Sequence, residues 1–253
     1  MTISVAQAQV FFLALTRILA VLVHVPVLAG RLVPNLVRIG FGLILTFVLL
    51  PWDVLPEDAA ALPLLGFSLA IAKEILTGTL AGFGAALTFG ALQIAGEVMS
   101  TSSAFGSAQM LNPAFQDQGT AYSSVLTVLA MMIFLLINGH HQVLLAAERT
   151  FEIFPINGSI TGFSMGKLIL TSAQLISTGI HMAMPILGAV LLVEIAFGLL
   201  ARVAPQVQVF FLAIPLKAGL ALVGLAIALN VLYPFILNLF ERMGERMMNL
   251  MAG

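Results

Sequence analysis

Charged residues lie far apart along this chain. None occurs in residues 75–96, 168–193 or 218–240, runs of about 22, 26 and 23 residues. At about 1.5 Å of rise per residue, each run predicts a helix as long as the hydrocarbon core of a bilayer is thick. A fourth apolar stretch covers residues 5–30, but Arg17 and His24 interrupt it. They are seven apart and share one helical face. An arginine at mid-membrane depth costs about 2.5 kcal/mol or more, so that face should meet a partner or water rather than lipid.

Shorter elements connect these runs. Gly30-Arg31 closes the first segment, and Val33-Pro34 opens another helix with proline in its first turn, continuing through residues 39–50. Pro51-Trp52-Asp53 and Pro56-Glu57-Asp58 form an acidic, proline-marked loop. Arg31 and Arg38 favour a cytoplasmic first loop, with the acidic loop outside. Residues 59–72 are apolar but short for a span, although Lys73-Glu74 need not stop a helix that continues through residues 75–94. That run carries Gly78, Gly82, Ala86 and Gly90 at steps of four, a ridge of small residues that lets another helix backbone come close.

Between residues 100 and 124 the pattern breaks. Hydroxyl and amide side chains, glycines and Asn112-Pro113 argue against regular helix, yet Phe105, Met110, Leu111 and Phe115 are too apolar for an ordinary solvated loop. Irregular backbone at membrane depth is tolerated only against protein or an aqueous cavity. A segment lining or blocking a pore and a loop grazing the headgroups both fit. Residues 125–137 are apolar again and close on Asn138-Gly139-His140-His141. Residues 142–155 read as a short amphipathic helix, and residues 157–166 as a glycine-rich turn. Glu194, Arg202, Pro205 and Lys217 then punctuate a helix–turn–helix. The expected class is an all-α, multi-helix integral membrane protein.

Composition agrees. The 253 residues are 60% hydrophobic and only 8% charged, against about 25% charged in soluble domains. The net charge of −1 invites no nucleic acid. The absence of cysteine removes disulfides, thiolate metal sites and cysteine nucleophiles. Arg17 is the first positive charge, so no secretory signal is expected, and no lipidation signature is visible. Twelve methionines and eighteen phenylalanines suit lipid-facing and core packing, or a deformable apolar lining. Gly162-Phe163-Ser164-Met165-Gly166-Lys167 is one residue short of a phosphate loop and lacks its hydroxyl. The adjacent His140 and His141 do not make a metal-ligand spacing, and no catalytic pair stands out. No cofactor or metal is expected. So few functional groups argue against an enzyme. A small multi-pass solute transporter acting alone is the rival class, but neither an inverted repeat nor a midplane polar cluster is apparent.

Four stretches, in order, carry a resemblance. They are Arg17-Ile18-Leu19-Ala20 with Pro26, Val33-Pro34-Asn35-Leu36-Val37-Arg38 and Pro51; residues 105–119 around Asn112-Pro113; Phe134-Leu135-Leu136-Ile137-Asn138-Gly139-His140-His141 with Phe151 and Pro155; and residues 194–206, from Glu194 through Arg202 to Pro205-Gln206. Over essentially its whole length the chain resembles the FliR family of flagellar export-gate proteins and its virulence type III secretion counterparts. Two departures stand out: Thr150 replaces the usual serine, and Asn112 stands where aspartate is frequent. The resemblance implies a one-copy subunit in the bacterial inner membrane at the flagellar basal body. Its companions there are FliP and FliQ, with FlhB and FlhA as further partners. Residues 1–164 would be FliP-like and residues 165–253 a FliQ-like hairpin with a tail. Unfolded exported proteins would be the cargo. The resemblance also implies a pore plug at residues 105–119, with Phe105, Met110, Leu111 and Phe115 as the sealing side chains and Gly106, Asn112 and Pro113 as further plug residues. Packing or charge pairing at subunit interfaces is expected of Arg17, Gly78, Gly82, Ala86, Gly90, Glu194, Arg202, Pro205, Gln206 and Lys217.

Overall fold

The computed structural model describes residues 4–29, 33–50, 61–103, 121–156, 158, 164–206 and 208–251. Residues 105–119 lie outside them, and with them Phe105, Gly106, Met110, Leu111, Asn112, Pro113 and Phe115. So do Gly30, Arg31 and the acidic loop at residues 51–58. The described chain is all helix and turn: α1 (Val5–His24), α2 (Pro26–Ala29), α3 (Asn35–Leu49), α4 (Leu64–Ser102), α5 (Ala121–Leu136), α6 (Gly139–Ile153), α7 (Met165–Val203), α8 (Val209–Glu241) and α9 (Met243–Asn249). Among the described residues, four helices are long and apolar enough to cross a membrane: α1, α4, α7 and residues 211–241 of α8. The three charge-free runs fall inside α4, α7 and α8.

The chain divides into two compact units. The first comprises Met1–Leu87, Asn138–Thr171 and Glu241–Gly253. In it, α1 opens on a reciprocal cap: Gln7 N donates to Ser4 Oγ at 3.2 Å, and Ser4 N donates to Gln7 Oε1 at 3.0 Å. It stops at His24 because Val25, which precedes Pro26, turns extended at φ −86°, ψ 110°. Pro34 caps α3 from just outside, one position earlier than a first-turn proline. Helix α3 packs on α1, and α9 packs on α6. Helix α4 runs unbroken through Lys73-Glu74, so the short apolar segment before them is the opening of a 39-residue helix. The Gln9 side-chain amide ties the approach to α4, donating to the Leu62 carbonyl at 3.0 Å and accepting from Leu62 N at 2.8 Å.

The second unit comprises Thr88–Ile137 and Ser172–Phe240. Its centre is aromatic: the buried rings of Phe89, Phe134 and Phe240 lie 5.0–5.4 Å apart and join α4, α5 and α8. Gly96 lets α4 approach the backbone of Ser123, and Gly179 lets α7 approach that of Ala91. Pro185 in α7 and Pro215 and Pro234 in α8 lie inside helices, as membrane helices tolerate. Helix α7 ends at Val203 and the chain turns at Pro205-Gln206.

Candidate functional site

Two ion pairs stand out in these apolar helices. In the first unit, α1 aims Arg17 at α4 and the end of α6. Arg17 donates from Nε to Glu74 Oε2 at 2.5 Å. Its Nη1 donates to the carbonyls of Thr150 at 2.8 Å and Phe154 at 2.7 Å. Those carbonyls close α6, where the helix dipole is negative, so a cation is favoured there; the Thr150 carbonyl also accepts from Phe154 N at 3.0 Å. The Phe151 ring lies 4.6 Å from the guanidinium carbon, near enough for a cation–π contact. Both charged side chains are 0% exposed. Arg17 Nη2 and Glu74 Oε1 are buried and meet no hydrogen-bond partner among the described residues. The arrangement joins three helices far apart in sequence.

The small-residue ridge lies against the same face of α1. A Cβ on Gly78 would collide with the Arg17 carbonyl and Ala20. One on Gly82 would come within 2.8 Å of His24 Cβ and 2.9 Å of the Val21 carbonyl. The structure therefore brings together two features that the sequence offers separately, the Arg17/His24 face and the Gly78/Gly82 steps. Both were expected at subunit interfaces or in charge pairs, and here they meet inside one chain. Ala86 is half-buried, and a Cβ on Gly90 would meet nothing within 4 Å. Glu74 went unnoticed except as half of a charged doublet. Its signal was its position, one further step of four before Gly78.

In the second unit, Lys217 Nζ on α8 donates to Glu194 Oε1 on α7 at 2.6 Å. Here the side chains are 21% and 49% exposed, respectively. Arg202 and Gln206 are exposed near the hairpin turn, and Pro205 lies in the turn itself. A cavity of about 340 Å³ is lined by Ser102, Met184, Leu187, Gly188, Leu191 and Glu194, among others. No group of three metal-binding side chains occurs among the described residues. The His140 and His141 rings lie 4.3 Å apart at the start of α6. Just before them Asn138 takes the left-handed conformation at φ 56°, which asparagine tolerates better than most residues. In α9, burial lowers the pKa of Arg246 from its ordinary value, and the nearby Arg242 adds to that.

Residues 8–243 match the family model described as bacterial export proteins, family 1. The chain belongs to this family. It is a FliR-type member. Flagellar biosynthetic protein FliR of Escherichia coli K12 is 29% identical over 92% of this chain and 89% of its own length. The FliR protein of Bacillus subtilis 168 is 28% identical over 96% and 94%. The Yop proteins translocation protein T of Yersinia pestis is 29% identical over 83% and 82%. Both ion pairs of this family member fall within the matched residues. So does the α7–α8 turn that carries the Arg202 to Gln206 resemblance.

Proposed function

We propose that this chain is a subunit of the flagellar type III protein export gate. It assembles with FliP and FliQ into the channel that passes unfolded flagellar subunits, with FlhB and FlhA adjoining, in the bacterial inner membrane at the basal body. The family match over residues 8–243 carries this reading. The greater coverage of the flagellar relatives favours the flagellar over the virulence system. Abundant exposed apolar side chains, among them Leu36, Phe47, Leu192 and Phe211, supply surface for lipid and for companions. In this reading residues 1–164 act as a FliP-like region and residues 165–253 as a FliQ-like hairpin. Residues 105–119 act as the plug, because bulky, flexible side chains such as Met110 and Phe115 exclude ions yet move aside for a polypeptide.

Deletion of residues 106–118 tests the plug. The shortened chain should still co-purify with FliP and FliQ, and cells carrying it should leak ions. Normal ion permeability in cells with correctly assembled complexes would refute the plug. Flagellar export that persists without the gene would refute the export-gate role itself.

A further inference from the structure

Helix α9 has only seven residues, too few to hold together by itself. It is held by one face. Met243, Met247, Leu250 and Met251 share that face at helical spacing, and all four are buried. Glu241, Arg242, Glu245 and Asn249 are exposed. Two helices of the same unit make the seat. On α4, Gly84 lets the tail backbone pass: a Cβ there would come within 2.9 Å of Met247 Cα and 3.1 Å of Met247 N. On α6, a Cβ on Gly244 would lie 3.8 Å from the Gln142 carbonyl, in the first turn. The opposite end of α6 gives Arg17 the carbonyls of Thr150 and Phe154. One buried stripe, Val143, Ala146, Ala147, Thr150 and Phe151, runs along the helix between the two ends.

We propose that α9 is a strap that locks α6 in place and thereby sets the carbonyl cradle of Arg17. Helix α6 is a rod about 22 Å long, gripped near its first turn by α9 and at its last by the guanidinium. A rigid helix carries a displacement of one end to the other, so the two grips are coupled. With α9 off its seat, the first turn is released and the two carbonyls lose their aim at Arg17. Coupling is reciprocal: whatever loosens Arg17 loosens α9 by the same factor. Methionine suits such a strap, because its unbranched side chain repacks as the helix seats. Gly84 and Met247 are therefore positioning residues for the Arg17 cradle. The device belongs to the first unit and stands apart from the export-gate reading.

The chain has no cysteine, so Met247→Cys or Leu250→Cys places a single thiol on the buried face of α9. Its reaction with N-ethylmaleimide in native membranes, read as the mass of the purified chain, reports how often α9 leaves its seat. The thiol should be protected in the otherwise unchanged chain. Arg17→Leu should raise the rate about tenfold. Arg17→Lys keeps the charge but not the fork, and should raise it by less, about threefold. This milder variant carries the test if Arg17→Leu fails to accumulate. Arg17→Leu together with Glu74→Leu should stay at the raised rate, because neither leucine donates to Thr150 or Phe154. That separates a cradle from plain stability, which the double variant largely regains. Gly96→Ala, which presses α4 on Ser123 in the other unit, should leave the rate unchanged. A rate indifferent to Arg17 overturns the proposal. So do thiols at both positions that react freely from the start, a double variant that returns to full protection, or an equal rise with Gly96→Ala.

Discussion

The Arg17–Glu74 and Glu194–Lys217 pairs use the same chemistry in opposite surroundings. The first is sealed, with both side chains 0% exposed and the guanidinium held by two carbonyls and an aromatic ring. The second is open on an apolar hairpin, with the carboxylate 49% exposed. The sealed pair bonds within the chain and holds its own helices, with Arg17 Nη2 and Glu74 Oε1 left without a partner among the described residues. The open pair joins only α7 and α8 and leaves its carboxylate half-exposed. Burial therefore separates a charge pair that ties distant helices together from one that spans a single hairpin.

Three experiments would break or sharpen this contrast. The largest effect should come from Arg17→Leu, which strands a buried Glu74 carboxylate and should cost about 3–5 kcal/mol in a detergent unfolding titration. Arg17→Leu together with Glu74→Leu should recover much of that loss. If single and double variants lose stability equally, the pair is not what seals the first unit. Next, Gly82→Leu forces a side chain against Val21 and His24 and should cost about 1–3 kcal/mol or more in the same titration. Gly90→Leu, with open space around it, should change stability by less than about 0.5 kcal/mol. Equal losses at Gly82 and Gly90 would mean that the close approach of α1 and α4 is not specific. The smallest effect belongs to the open pair. A double-mutant cycle with Glu194→Gln and Lys217→Gln on the purified chain should give a coupling of about 0–1 kcal/mol. A coupling as large as that of Arg17 with Glu74 would erase the distinction.

The three long helices could be read from the sequence because a charge-free run of spanning length suits little besides a helix in lipid. Arg17 announced that it needed a partner, and the steps of four from Gly78 announced a close approach. That the two meet could not be read, since neither periodicity nor charge spacing says which helix lies across from which. The carbonyls of Thr150 and Phe154 were invisible for a different reason: any residue supplies a carbonyl, so only the geometry of the end of α6 marks them. The Gln9 clamp on Leu62 was hidden in the same way. The pairing of Glu194 with Lys217 across the hairpin was equally unmarked, because the sequence sets their spacing in number and not in space.

The acceptors that hold Arg17 are made very late. Thr150 follows it by 133 residues and Phe154 by 137. During synthesis α1 therefore enters the membrane with a cation whose counter-ion and cradle do not yet exist. Until α4 and then α6 follow, a membrane-inserted α1 carries that cation unpaired, at a cost of about 2.5 kcal/mol or more.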